Sequence, residues 1–251
     1  MTCQRRGLST VNRFPAHQPG NINKRLVRLA RFLDSDRGGP NDVRSRDLGN
    51  TGAEASAAAL TEETLRNGHV VLHLTGRIDS RDAALFDAAV GKLTAAGKRI
   101  DVISLNSTGG QLGEGALIAG VIKASRLATR VEDGAVCASA CFLLFAAGEP
   151  RTAHPNSFIG VHKAADNDGR ETYKSREATR AMVEFARQLG VPSTITDKMG
   201  RTPSDSLEWL SARDLRSMGA AVSNKYQPSN EIVQPDGEAQ PPSKRASDAA
   251  P

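Results

Sequence analysis

The chain has 251 residues, of which 39% are hydrophobic and only 4% aromatic, and its formal net charge is +5 at pH 7. This composition favours a layered α/β domain over an aromatic-rich β-sandwich, and the length suits one large domain or two small ones. Residues 1–58 hold ten Lys or Arg against five Asp or Glu, whereas residues 59–226 hold 21 against 19. The basic excess therefore lies outside the candidate domain, which argues against nucleic-acid binding by that domain.

Both ends of the chain have compositions that are typical of disorder. Residues 1–58 are rich in Arg, Asn, Gly, Ser and Asp, and residues 227–251 are rich in Pro, Ser and Ala. Residues 23–33 mix apolar and basic side chains at near-helical spacing, which predicts a short amphipathic helix. This helix either contacts an anionic membrane surface or a partner, or it stays a transient solvated helix, and we favour the transient helix.

Several strands that alternate with helices are predicted between these ends. A mostly parallel sheet covered by helices, in a single domain spanning 59–226, follows from this alternation. The segment 136–147 is apolar all round, so we expect a buried helix there. The predicted strands are 70–74, 102–105, 128–131 and 157–162, and the predicted helices are 80–96 with Ser80 as its cap, 113–125, 136–147, 173–189, 193–199 and 212–218.

No apolar run approaches the roughly 20 residues that cross a bilayer. No apolar stretch follows Arg5 and Arg6, so the N-terminus does not have the pattern of a secretory signal. We therefore expect a cytoplasmic protein.

Ser139 is the first candidate for chemistry. It lies among small apolar residues at the start of the predicted buried helix. The helix dipole and the free N–H groups of a helix start favour negative charge, and Ala138 and Ala140 leave space for a substrate carbonyl. A structural interpretation stays open, in which Ser139 caps the helix or fills a small-residue contact.

Two further segments could complete a site with Ser139. The segment 106–110 (NSTGG) follows a predicted strand, and its paired glycines can adopt positive φ and turn N–H groups toward an oxyanion. Taken alone, it is a strand-to-helix turn. His162 ends the next predicted strand, at the sheet edge where ligands bind in α/β folds. A neutral imidazole there could accept the serine proton.

Cys137 and Cys141 lie on either side of Ser139. A disulfide or a metal pair is one interpretation, and two small buried thiols beside a nucleophile is the interpretation that we favour. No His or Asp at metal-ligand spacing accompanies them, and we expect no metal or other cofactor. With Cys3 the cysteine count is odd, so no disulfide framework requires an oxidising compartment.

The order of these features resembles that of the Clp protease proteolytic subunit family. Five segments carry the resemblance, which covers roughly residues 66–223: LTGRI at 74–78, NSTGG at 106–110, ASACFLLFAAG at 138–148, PNSFIGVH at 155–162 and WLSARDLRSMG at 209–219. The resemblance implies a ClpP/crotonase-type α/β fold. It is closest to a bacterial ClpP-like group rather than to the housekeeping subunit.

The resemblance also implies a serine endopeptidase-type hydrolase. Ser139 would attack a peptide carbonyl, and His162 would act as general base and then as acid toward the leaving amine. The backbone N–H groups of Gly109 and Ala140 would form the oxyanion hole.

The acid that orients the histidine in this family has three candidates in this sequence. Asp205 is the nearest match, but it lies closer to Trp209 than the family pattern places it, and Glu208 and Asp214 are rivals. This departure concerns the triad and leaves the Ser–His pair as predicted.

Lys163 raises the alternative of a Ser–Lys pair. A lysine base must be desolvated to be neutral near pH 7. Since adjacent strand residues face opposite sides, Lys163 and His162 cannot both face Ser139 if the strand continues, and we favour His162.

By the same resemblance we expect a peptide or protein substrate and a homo-oligomer. A separate ATP-driven unfoldase stays open as a partner, and the sequence itself contains no P-loop. Two other function classes stay open. One is an inactive scaffold or binding protein that packs Ser139 as structure. The other is a crotonase-type acyl-CoA enzyme, which uses paired N–H donors but needs no Ser–His pair.

Overall fold

The computed structural model describes residues 58–166 and 169–225. The predicted disorder before residue 58 and after residue 226, and the predicted helix at 23–33, lie outside the described residues. Within these two ranges the elements in chain order are β1 (Ala59–Thr64), β2 (Val70–Thr75), α1 (Asp82–Ala95), β3 (Ile100–Asn106), α2 (Leu112–Ala124), β4 (Thr129–Val131), β5 (Val136–Ala138), α3 (Ala140–Ala147), β6 (Arg151–Ala153), β7 (Phe158–Val161), α4 (Tyr173–Gln188), α5 (Ser193–Arg201), β8 (Glu208–Trp209), α6 (Ala212–Ser217) and β9 (Ala221–Val222).

A six-stranded sheet has the strand order β1, β2, β3, β4, β6, β9. Only the edge strand β1 runs antiparallel to its neighbour, and the other neighbouring pairs are parallel. β2 and β3 are rich in buried Val, Ile and Leu, as is typical of parallel strands that are covered on both faces. The predicted α/β class with a mostly parallel sheet is confirmed.

A smaller sheet, with the order β5, β7, β8, positions the candidate site. β5 runs parallel to β7, with Ala138 opposite Gly160, and β8 runs antiparallel to β7, with Trp209 opposite Gly160. An isolated bridge between Ser107 and Cys137 joins β5 to the segment that follows β3. The ends of β3, β5 and β7 are therefore neighbours.

Helix α3 lies at the centre of the core. All eight of its residues are buried, among them Phe142 and Phe145 at 0% exposure. It packs against α2, where Gly115 permits a close approach, since a Cβ there would lie 3.0 Å from the Cβ of Ala140. No helix in the described ranges has the length and hydropathy needed to cross a membrane.

Three details of the sequence prediction are wrong. The helix expected at 136–147 begins only at Ala140, because the preceding residues form β5. An uninterrupted apolar run has no period of 2 or 3.6 that would separate strand from helix. Ser80 does not cap α1, which instead follows Arg81 at φ 79°. Strand β1 was not expected, since its mostly polar sequence lies on the exposed edge of the sheet.

Candidate active site

Ser139 occupies a sharp turn between β5 and α3. Its φ of 56° and ψ of −125° lie in a region that residues with a Cβ rarely adopt, so the surrounding contacts must hold this conformation. Its N–H donates to the carbonyl oxygen of Gly160 at 3.0 Å, and its own carbonyl accepts from the N–H of Phe142 at 3.0 Å. The predicted position of Ser139 at a helix start is confirmed.

Exposure singles out Ser139 from its neighbours. Every residue from 137 to 148 is buried except Ser139, which is half-buried. A strand-to-helix turn that presents one serine from a buried segment is the arrangement by which α/β hydrolases expose a nucleophile. The local backbone is therefore suited to making this hydroxyl accessible to a substrate.

The paired glycines lie directly against this turn. Gly109 and Gly110 have φ angles of 95° and 144°, as the glycine pattern predicts. A Cβ on Gly109 would lie 2.7 Å from the Cβ of Ser139 and 2.9 Å from the nitrogen of Ala140, so only glycine fits there. The structure thus brings Gly109, Ser139 and Ala140 together.

Two main-chain N–H groups border Ser139. Ala140 is the first residue of α3, and the first N–H groups of a helix have no acceptor within the helix. The N–H of Gly109 donates to Oγ of Ser107 at 3.1 Å. This donor is therefore already satisfied by a hydroxyl in the structure described.

His162 directly follows β7, the strand that pairs with β5. Since the two strands are parallel and Ser139 bonds to Gly160, Ser139 and His162 lie at the same sheet edge. Burial lowers the pKa of His162 below its usual value, and a weaker main-chain interaction with Ser204 acts in the opposite direction. Nδ1 is buried and makes no hydrogen bond to any described residue.

The structure does not join Asp205 to His162. Asp205 is exposed between α5 and β8, and its carboxylate accepts a hydrogen bond from Oγ of Ser206 at 3.1 Å. Because Nδ1 of His162 has no partner in the described ranges, no carboxylate orients the imidazole through Nδ1 in this arrangement.

The two rival acids are held by Lys198. Its Nζ lies 3.2 Å from a carboxylate oxygen of Glu208 and 3.0 Å from one of Asp214. Burial alone would raise the pKa of Asp214, but hydrogen bonds from Ser211 and Lys198 lower it below its usual value. Both carboxylates therefore serve the contact between α5, β8 and α6.

Lys163 is likewise engaged away from Ser139. Its N–H donates to the carbonyl of Thr202 at 3.0 Å, and its Nζ lies 3.3 and 3.2 Å from the two carboxylate oxygens of Glu171. This ion pair directs the ammonium group toward Glu171, and it gives the Ser–Lys alternative no support.

The prediction of two free thiols beside Ser139 is wrong, because Cys137 and Cys141 form a disulfide. The turn at Ser139 brings a strand residue and a helix residue to a Cα–Cα distance of 5.2 Å, within the usual range for such a bond. Within the part of the chain that the structure describes, no group of three or more His, Cys, Asp or Glu side chains is arranged to hold a metal ion.

An aromatic pair beside the site was not predicted. The ring of Trp209 lies on Gly160, where a Cβ would come within 2.8 Å of two of its atoms, and it meets Phe158 edge-on at 5.9 Å between centroids. Phe158 and Gly160 lie on one face of β7 because side chains alternate along a strand, and the ring of Trp209 contacts both. That alternation is the sequence signal that could have placed Phe158 and Gly160 on the same face.

The described residues form a mixed α/β domain with a mostly parallel sheet, and a serine lies at the sharp turn that begins its buried helix. The family model described as Clp protease matches residues 52–224, more than half of the chain. The chain therefore belongs to the Clp protease family.

Two solved structures are similar to the chain. ClpP1 from Listeria monocytogenes is 19% identical, covers 62% of this chain and 92% of its own, and has a TM-score of 0.49. A serine-to-alanine mutant of the 1510-N membrane-bound stomatin-specific protease is 17% identical, covers 61% and 78%, and has a TM-score of 0.47. Comparison with curated proteins finds no match.

Proposed function

We propose that the chain is a serine peptidase in which Ser139 is the nucleophile and His162 the general base. The observation that carries the proposal is the placement of Ser139. It is the one residue from 137 to 148 that is not buried, and it is held at positive φ beside the strand that His162 directly follows. Membership of the Clp protease family supports a peptidase at the level of the class.

The proposed reaction begins with attack of Oγ of Ser139 on a peptide carbonyl carbon. The serine proton passes to His162, whose lowered pKa keeps the imidazole neutral and able to accept it. The imidazolium then gives this proton to the leaving amine as the peptide bond breaks, which leaves an acyl group on Ser139. Water, deprotonated by His162, hydrolyses the acyl group and restores both side chains.

The developing oxyanion needs donors that are placed before the reaction begins. We assign one to the N–H of Ala140, at the start of α3, and the second to the turn at Gly109. The Gly109 N–H would give up the hydroxyl of Ser107 for the oxyanion, which is a stronger, charged acceptor.

The proposed reactive unit is a Ser–His pair, which is supported by the pairing of β5 with β7 and by the bond from Ser139 to Gly160. Asp205 remains the candidate for an orienting acid, but its exposure and its bond to Ser206 leave it without a role in this arrangement. A Ser–His dyad needs no carboxylate, whereas a triad does. Removal of the Asp205 carboxylate therefore distinguishes a dyad from a triad.

A peptide or protein substrate, a homo-oligomer and a separate ATP-driven unfoldase complete the proposal. Family membership supports these three expectations only in general terms. Light scattering on the purified full chain measures the oligomer, and degradation of an unfolded model protein with and without an added unfoldase and ATP tests the partner.

A fluorophosphonate probe tests the nucleophile, because it forms a covalent bond with an activated serine. Labelling of the full chain should be abolished by Ser139→Ala and should fall by about 100- to 10,000-fold in His162→Ala. Ser206→Ala is the matched control, since Ser206 is an exposed serine whose hydroxyl binds only Asp205 among the contacts described. It should label like the parent.

Other results would select another function. A folded parent protein that is not labelled at any probe concentration would favour the inactive scaffold. Retention on a coenzyme A resin together with absent labelling would favour an acyl-CoA enzyme.

A further inference from the structure

The disulfide between Cys137 and Cys141 encloses Ser139. Cys137 is the middle residue of β5, Cys141 is the second residue of α3, and the bond bridges a sequence separation of 4 with the serine at its midpoint. Both cysteines are 0% exposed, whereas Ser139 between them is half-buried. The bond therefore lies beneath the serine turn and leaves the hydroxyl accessible.

Each cysteine belongs to a different rigid part of the fold. Cys137 pairs with Ile159 in the register of β5 and β7, and it forms a bridge with Ser107 beyond β3. Cys141 lies in the buried helix that packs against α2. The bond thus joins the small sheet to the helical core across the single residue that changes direction between them.

The backbone conformation of Ser139 is strained, and the disulfide is one of the contacts that can hold it. A serine at φ 56° persists only where its surroundings determine it. Besides the disulfide, the turn is held by the bond from the Ser139 N–H to Gly160 and by the bond from Phe142 to Ser139. Without the link, the strand end and the helix start could separate and let the serine relax toward a common backbone conformation.

We propose that the Cys137–Cys141 disulfide positions Ser139 for reaction by fixing the strand-to-helix turn that presents it. This inference rests on the proposed function of Ser139 as a nucleophile. Cys137 and Cys141 are positioning residues, since they act through the serine backbone and not on the substrate.

Burial makes the link permanent in the folded protein. Thiol–disulfide exchange requires a thiolate to reach a sulfur atom, and both cysteines are fully buried. The bond therefore closes during folding, when two thiols lose two protons and two electrons to a small-molecule or protein disulfide that is reduced to two thiols. Such a bond is typical of an oxidising compartment, which differs from the cytoplasmic location that the sequence predicts.

Thiol content gives the first test. The full chain with Cys3→Ala, produced under oxidising conditions, has cysteines only at 137 and 141. Unfolded in guanidinium without reductant, it should show no free thiol, and two free thiols would overturn the proposal. Folded protein exposed to dithiothreitol should keep the bond, whereas unfolded protein should lose it. If the folded protein were reduced as fast as the unfolded protein, burial would not shield the disulfide from dithiothreitol.

The labelling rate gives the second test. In the same Cys3→Ala background, Cys137→Ala/Cys141→Ala should lower the maximal rate of fluorophosphonate labelling about 10- to 100-fold, because small misplacements of a reacting atom have effects of that size. The probe concentration that gives half the maximal rate should not change. Melting curves must show both proteins folded at the assay temperature. An equal maximal rate would contradict the positioning role.

A rescue experiment compares the reduced and the reoxidised forms of the same Cys3→Ala protein, so no further substitution is needed. The Cys3→Ala protein, reduced in guanidinium and refolded with dithiothreitol, should label slowly. Oxidised glutathione added before refolding should restore the parent rate. This comparison also replaces the double variant should that variant not fold. A reduced chain that cannot fold would reject the positioning role and make the bond a requirement for folding.

Failure of the proposed function is distinguishable from failure of this inference. A parent protein that is never labelled rejects the nucleophile. The bond is then judged by amide hydrogen exchange at residues 140–142, which should be about tenfold faster in the reduced protein if the link holds the turn. Equal exchange rates in the oxidised and reduced proteins would overturn the inference.

Discussion

The main-chain N–H of Ser139 donates to the carbonyl oxygen of Gly160 at 3.0 Å. Gly160 lies on β7, two residues before His162, and its neighbour in β5 is Ala138. The pairing of two parallel strands therefore sets the relative position of the proposed nucleophile and base. Substitutions that disturb this pairing, or the glycine turn beside it, should change reactivity more than stability.

Gly109→Ala should abolish most of the labelling at Ser139. The new Cβ would lie 2.6 Å from the carbonyl oxygen of Ala138 and 2.7 Å from the Cβ of Ser139, and φ is 95°. We expect the free energy of unfolding to fall by about 1–3 kcal/mol. The labelling rate should fall at least 100-fold, on the order of the loss of one oxyanion donor. Urea titration and probe kinetics measure the two effects.

Gly134→Ala is the matched control for backbone strain. Gly134 also has positive φ, at 67°, but a Cβ there would meet nothing within 4 Å. We expect a loss of about 1–2 kcal/mol in the free energy of unfolding and an unchanged labelling rate. Equal losses of labelling in the two variants would mean that the contact with Ser139 does not matter.

The pH dependence of labelling should report the lowered pKa of His162. The imidazole accepts a proton only in its neutral form, so the rate should fall as pH drops through the pKa of the folded protein. Burial places this pKa below the usual value of 6.5, so at pH 6.5 the rate should exceed half of its plateau. A midpoint above 6.5 would contradict the assignment. The dependence should be absent from the residual labelling of His162→Ala.

The same pKa has a consequence for stability. Between the pKa of folded His162 and 6.5, the unfolded chain binds more protons than the folded one, so stability rises with pH there. The stability that depends on neutral His162 is thus present above pH 6.5 and is lost as pH falls toward the folded pKa. Urea titrations over this range should show a steeper fall for the parent than for His162→Gln. Parallel curves would indicate that burial does not shift the pKa.

Asp205→Asn should lower the labelling rate by less than about threefold. The reason is that Nδ1 of His162 has no partner among the described residues and that Asp205 binds Ser206 instead. In a working triad the same change reduces the rate by about four orders of magnitude. Asp197→Asn, at another exposed carboxylate, is the control for surface charge. A loss of more than 100-fold confined to Asp205→Asn would establish a triad.

The sequence predicts those features of the site that depend on short local patterns of residues. The positive φ of Gly109, the position of Ser139 near the start of a buried helix and the strand that leads to His162 follow from short patterns, and the structure confirms all three. Strand β5 was missed because it and α3 form one continuous apolar run, which has no periodicity. The disulfide depends on the sharp turn at that boundary, so for the same reason the sequence favoured two thiols over the alternative of a disulfide.

Contacts between distant segments were not predictable. Lys198 lies 10 residues before Glu208 and 16 before Asp214, and it engages both only because α5 packs beside β8 and α6. That ion-pair cluster removes two rival acids from the site. Only the folded chain shows which carboxylates already form ion pairs.

Trp209→Ala should weaken the strand that carries His162. The Trp209 ring covers Gly160 and contacts Phe158 edge-on, and among the described strands β8 is the partner of β7 on that side. Because Trp209 is 46% exposed, we expect about half of the loss seen for a buried aromatic residue, or about 2 kcal/mol, measured by circular dichroism in urea. Labelling should slow as β7 loses support. Tyr173→Ala, at 70% exposure, should change stability by less than about 0.5 kcal/mol. Equal losses in the two variants would show that the ring on Gly160 does not stabilise β7.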